Sequence, residues 1–180
     1  MKKLPLSKAF MLIEPGPVVL VTTADGGKKN IMTISWTMVM DFTPRFALLT
    51  GPWNHSCAAL LKTRQCVLAI PGKDLAEKAV RIGCCSGSDT DKFKKFGLTP
   101  LAGSKVKAPL IKECVANIEC RVVAHLKEHD IFVLDGVAAW TDGKPAAGRM
   151  FHAVGDGTFV LDGRRVSHRR LMRAKLPAGV

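Results

Sequence analysis

Residues 30–40 read NIMTISWTMVM, and every even position is large and apolar: Met32, Ile34, Trp36, Met38 and Met40. Thr33, Ser35 and Thr37 stand between them. Successive side chains of a strand point to opposite faces, so the alternation predicts one strand with an apolar face toward the core and a face of small hydroxyls opposite. PVVLVTTADGGKK before it supplies a partner strand and a Gly-rich turn, a hairpin. RFALLT at 45–50 predicts a third strand, ended by GPWN. HSCAALLKT at 55–63 has helical spacing through Ala58 and Leu61, and QCVLAI is a short buried strand. DLAEKAVRIG predicts a helix opened by Asp74, with Leu75, Ala79 and Ile82 on one face and Gly83 as its stop.

CCSGSDTDKFKKFGLTPL reads as a loop and a short helix, capped by Asp89 or Thr90 and terminated at Gly97. CVANIECRVVAHL and DIFVLDGVAAW are long strand-like runs joined by the turn KEHD, and TFVL adds one more strand. The pattern totals about six or seven strands and three short helices, without the regular β-α alternation of a doubly wound sheet. The expected fold is mainly β with short helices, an antiparallel barrel with helices at its edges.

Composition adds limits to this picture. With 180 residues, 47% of them hydrophobic, the chain can bury one substantial core. Its apolar runs, such as 17–21 and 31–40, fall short of the roughly 18–20 residues of a membrane span. The basic start is interrupted by Lys8, Glu14 and the prolines at 5, 15 and 17, so no secretion signal is expected and the expected address is cytoplasmic. Residues 164–180 carry six Lys or Arg and no acid, which is half of the net charge of +12. The chain therefore divides into a domain at 1–163 and a solvated basic tail at 164–180. The remaining excess suits an anionic ligand bearing phosphate.

Several chemistries lack their signatures. No G-x-G-x-x-G follows a strand, and neither G-x-x-x-x-G-K-[ST] nor G-x-S-x-G occurs. His125 and His129 lie in a β-like run that ends in a turn, which if extended separates them by roughly 13 Å, too far to share a metal ion. The six cysteines form no C-x-x-C pair, and most sit in apolar segments as reduced core thiols. Cys84 and Cys85 differ, since they occupy a Gly/Ser-rich turn where a redox or ligand-contact role stays open.

The hydroxyl row admits two readings. Threonine is favoured in strands, so the row fits the outer face of a half-buried sheet. Yet residues 31–40 contain no Lys, Glu or Gln, and small side chains leave backbone N–H groups approachable by a flat, polar-edged ring or a phosphate. NIMTISW, LTGPWNHS at 49–56, SGSDTDKFKKFGLTP at 86–100 and HDIFVLDGVAA at 129–139, in that order, resemble the flavin reductase-like FMN-binding split-barrel family, in its flavoredoxin branch. The resemblance implies a six-stranded antiparallel Greek-key split barrel, a homodimer, and one FMN per subunit in a cleft near the dimer interface. It implies that Thr33, Ile34, Ser35 and Trp36 meet the flavin ring and ribityl chain, and that Asn54, His55 and Ser56 form the phosphate side. Ser86, Asp91 and Lys92 match a loop close to the flavin. Ser88 stands where the family commonly carries Arg, which leaves Lys92 as the cation of that loop.

Three functions compete on this reading. The first is an NAD(P)H-dependent flavin or ferric reductase, passing electrons through FMN to free flavin, ferric ion or a redox protein. The second is a flavoredoxin-type FMN electron carrier without NAD(P)H turnover. The third, a basic barrel binding single-stranded nucleic acid, ranks last because such sites stack bases on aromatic rings and this chain has no Tyr and only 6% aromatics.

Overall fold

The computed structural model describes residues 1–13, 16–145 and 149–176. Residues 146–148, in the stretch expected to carry turns, and the last four positions of the basic tail lie outside the described residues. Twelve strands are found among them. In chain order they are β1 (Lys2–Leu4), β2 (Val19–Asp25), β3 (Lys28–Ile34), β4 (Thr37–Asp41), β5 (Arg45–Leu49) and β6 (Gln65–Ile70). Then follow β7 (Pro100–Leu101), β8 (Leu110–Ile111), β9 (Ala116–Leu126), β10 (Ile131–Thr141), β11 (Phe151–Ala153) and β12 (Phe159–Leu161). Three short helices accompany them: α1 (Ser56–Thr63), α2 (Ala76–Gly83) and α3 (Lys92–Lys95).

The β2–β3 hairpin turns on Gly26 and Gly27, with φ of 54° and 83°, and pairs Asp25 with Lys28. A two-residue turn with both φ values positive demands glycine, and its twist matches that of the strands. One antiparallel sheet runs in the order β3-β2-β6-β9-β10-β5-β4, with β1 added on β10. Its terminal strands, β3 and β4, are consecutive in the chain and separated only by Ser35 and Trp36. The sheet must therefore curl until its two edges meet, which makes a barrel that is closed by the chain and split along that seam. The mainly β split-barrel class is as expected, but the strand count exceeds the expected six or seven because β1, β7, β8 and β11 are too brief to leave a periodic signal and the strand expected at 30–40 is divided in two.

Inside the barrel Val19, Val21, Met32, Ile34, Leu68, Ile118 and Leu134 pack as one cluster. The other face of β2, β3 and β6 is also buried, with Leu20, Ile31 and Val67 packing against Ala79 and Ile82 of α2 and Phe93 of α3. α2 thus buries Ala79 and Ile82 of the predicted face, with Leu75 buried immediately before its first residue, and ends at the predicted Gly83. Three local expectations are corrected. α1 buries Cys57 and Leu60, while Leu61 is exposed, because the strip that meets the barrel lies one position earlier than Ala58 and Leu61. α3 is capped by Asp91, whose carboxylate accepts the Lys94 N–H at 3.1 Å, in place of Asp89 or Thr90.

The third correction concerns residues 30–40, which are two strands and not one. Met32 and Ile34 point into the barrel as expected, but Trp36, Met38 and Met40 are exposed. Beyond the interruption at 35–36, Val39 packs on the core and the Thr37 hydroxyl is buried, so the inward parity has changed from even to odd. A one-residue change of phase is enough to turn every following side chain to the other face.

Candidate functional site

Lys92 is the side chain around which the site is organised. It is 4% exposed, and its Nζ donates to the carbonyls of Ile31 in β3 and Ile82 in α2, both at 2.9 Å. Those bonds tie the short helix α3 to the strand and helix beside it, and they satisfy a carbonyl in the last turn of α2. None of the ion pairs among the described residues includes Lys92. Burial lowers its pKa, with the nearby Cys85 and Asp89 opposing that shift. An ammonium has three N–H donors, so one remains for a ligand.

Lys92 lines a cavity of about 300 Å³ whose other walls are Asn30, Met32 and Thr33 of β3, residues 53–56, and the segment from Gly83 to Gly87. At its inner end Ser56, 1% exposed, begins α1. The Asn30 amide donates to Ser56 Oγ at 2.8 Å and the Thr23 hydroxyl points to the same oxygen at 3.5 Å. With acceptor positions on Ser56 Oγ filled in this way, its hydroxyl proton is free to be donated. His55 precedes α1 without a side-chain cap, and the Cys57 N–H of the first turn bonds to the Asn54 carbonyl at 2.9 Å. Asn54 anchors the turn by donating to Thr50 Oγ1 at 3.1 Å.

Of the residues expected from sequence, Thr33, Asn54, His55, Ser56, Ser86 and Lys92 line this one cavity. Ile34, Ser35, Trp36 and Asp91 do not: Ile34 faces the barrel core, Ser35 and Trp36 are exposed in the interruption between β3 and β4, and Asp91 caps α3. Thr33 lines the cavity, but its hydroxyl donates to the Ala79 carbonyl at 2.6 Å and holds α2 on the sheet. Ser86 Oγ accepts from the backbone N–H and hydroxyl of Ser88, at 3.1 and 2.8 Å, so Ser88 shapes the loop in place of a cation.

Sequence reasoning missed Asn30, Trp53 and Gly87. Asn30 Oδ1 is buried with no hydrogen-bond partner, and a Cβ on Gly87 would stand 2.1 Å from it. Only a glycine lets this loop approach the Asn30 amide. Trp53, 62% exposed, lies back over Gly51, where a Cβ would come within 2.3 Å of its ring. The glycines inside the quoted motifs were the available signal. A larger hollow of about 600 Å³ between Lys3–Leu6 and Trp140 contains none of the expected site residues.

A curled antiparallel barrel with a polar, cation-floored cavity beside a helix start defines a class of small-ligand-binding split barrels. The flavin reductase like domain family matches residues 11–156, and the chain belongs to that family. The Escherichia coli K12 protein YddH, itself uncharacterised, is 30% identical over 179 residues, covering 90% of this chain and 95% of that one. Among solved structures, an FMN-binding domain of a flavin reductases-like enzyme from Shewanella baltica superposes with a TM-score of 0.83 at 22% identity, over 92% of this chain and 96% of the other. The flavoredoxin of Desulfovibrio vulgaris (Miyazaki F) superposes with a TM-score of 0.76, also at 22% identity, over 84% and 89%.

Proposed function

We propose that this protein is an FMN-dependent oxidoreductase that takes electrons from NAD(P)H. The observation that carries the reading is the buried Lys92 ammonium, which belongs to none of the ion pairs among the described residues and lines the same cavity as the start of α1. A buried cation is costly unless an anion or polar group compensates it, and a helix start favours an anion. The cavity is at the small end of ligand sites, which run from ~300 to 1,000 Å³, so FMN would fill it and extend beyond it. The donor set suits that molecule: the Ser56 hydroxyl at the start of α1 for the phosphate, Lys92 for an electron-rich ring edge, and Trp53 as an apolar flank. When bound, the flavin supplies hydride and electron transfer, from a reduced nicotinamide to free flavin, ferric ion or a redox protein. The residues bind, orient and screen it.

The cytoplasm is the proposed location; no helix among the described residues is long and apolar enough to cross a membrane. Residues 1–163 are proposed as the flavin-binding domain, residues 164–180 as a basic appendage, and a homodimer as the working form. The likeness to a flavoredoxin supports a second reading, an FMN electron carrier without NAD(P)H turnover. An absorption spectrum of the purified protein tests both readings, since bound FMN gives flavin bands and is released on denaturation. Colourless protein that fails to take up added FMN overturns both. Rapid mixing with NADH and NADPH then separates them: prompt bleaching supports the reductase, and absence of bleaching supports the carrier.

A further inference from the structure

Two adjacent thiols line the cavity, and the structure treats them differently. Cys84 follows α2 and is exposed, whereas Cys85 is half-buried. Cys85 Sγ donates to the Ile82 carbonyl at 3.7 Å, the same oxygen that accepts from Lys92 Nζ at 2.9 Å. The thiol and the ammonium therefore meet on one atom. Cys85 stands beside a buried ammonium that is in none of the ion pairs among the described residues, on the wall of a cavity open to small molecules. Thiols react as thiolates, and a neighbouring cation favours that form. Asn30 Oδ1, buried and unpartnered on the wall of the same cavity, independently marks it as a place where a polar ligand is awaited.

We propose that Cys85 is a thiolation site through which low-molecular-weight disulfides close the cavity. In the reaction the Cys85 thiolate attacks one sulfur of the disulfide, the Cys85–S–S bond forms, and the other half leaves as a thiolate. A thiol reductant reverses the exchange. The added group occupies the volume beside Lys92 and Ser86, so the modified protein loses its ligand. That consequence rests on the flavin reading; the order of thiol reactivity does not. Cys57, Cys66, Cys114 and Cys120 are each 3% exposed or less and serve as internal controls.

The test is timed labelling of the native protein with iodoacetamide, read by peptide mass spectrometry, followed by treatment with glutathione disulfide and FMN titration. Accessibility alone ranks Cys84 first. The pairing with Lys92 ranks Cys85 first, with labelling about tenfold faster than at Cys84. One glutathionyl group on Cys85, FMN affinity lowered more than about tenfold and recovery with dithiothreitol are expected. Cys85→Ser abolishes the loss caused by glutathione disulfide, and Cys84→Ser retains it. Labelling of Cys84 first or at the same rate overturns the proposal, as does FMN affinity that is unchanged after Cys85 is thiolated. If untreated protein binds no FMN, the flavin reading falls and the labelling order alone decides the thiol proposal.

Discussion

Single side chains carry the heaviest electrostatic demands of this barrel. Glu119 of β9 is fully buried, and its carboxylate accepts from the N–H groups of Ser104, Lys105 and Val106, the Ser104 hydroxyl and the Trp140 indole, at 2.6–3.1 Å. Burial pushes its pKa up, but the donors of Ser104, Lys105, Trp140 and Val106 together outweigh that and hold it below the usual carboxylate range. Glu119→Gln replaces an acceptor with an amide N–H that faces donors, and is expected to cost about 2–4 kcal/mol in urea unfolding. The sign of the pH dependence follows from the lowered pKa. Glu119 contributes stability that is fully present above its ordinary value of 4.5 and is lost as pH falls through its lower folded value. Urea midpoints measured at stepwise lower pH are expected to drop less for the Gln variant. In the cavity, Lys92→Met removes the cation and keeps the length of the side chain, so FMN affinity is expected to fall by about tenfold or more in titration, with the far-UV spectrum retained. Gly87→Ala should weaken FMN binding as well, because its Cβ displaces the Asn30 amide that holds Ser56.

At the scale of the element, what was legible depended on whether a feature is periodic. The two-Gly hairpin, the apolar face of α2 and the helix start at His55–Ser56 all leave local signals, and each stands where the pattern put it. The break at Ser35–Trp36 leaves none, because an apolar residue at an even position looks the same whether it meets the core or solvent. Only the closure of the sheet, which brings β3 and β4 together as its two ends, changes their parity. The burial of Lys92 is hidden for a related reason: in KFKK one of three lysines is buried, and the choice is made by carbonyls from β3 and α2, which no local window contains. Another tertiary override gives a prediction. Arg64 closes α1 in the left-handed region at φ 56°, a conformation glycine adopts without penalty, and its N–H bonds to the Leu60 carbonyl. Arg64→Gly is expected to stabilise the protein by about 0.5–1 kcal/mol, seen as a higher urea midpoint with an unchanged slope.

At the scale of the whole molecule, the β4 edge of the barrel carries an exposed apolar strip. β4 ends the sheet path and, among the described residues, pairs in a ladder with β5 alone. On its outward face and just beyond stand Trp36, Met38, Met40 and Phe42, between 46% and 63% exposed. An edge strand with such a face invites association unless charges or a covering element protect it. No side chain from 36 to 40 is charged, and Asp41 pairs with Arg45 in the β4–β5 ladder. The parity change at 35–36 turns Met38 outward beside the exposed Trp36, and the irregularity between Val39 and Asp41 and the turn after β4 leave Met40 and Phe42 on the same exposed side of the chain. A second copy is the occupant favoured by the proposed homodimer, since one strip on each subunit can cover the other about a two-fold axis. Met38→Glu places a charge in the middle of the strip and away from the cavity. Light scattering coupled to size exclusion is expected to find twice the mass of one 19.5 kDa chain for the wild type and a single chain for the variant, with helix and strand content retained. A wild type that stays monomeric at high concentration, or a Met38→Glu variant that stays dimeric, would remove β4 from the contact. FMN titration of the separated monomer then shows whether the cavity beside Lys92 holds the cofactor alone or needs the neighbouring subunit to complete it.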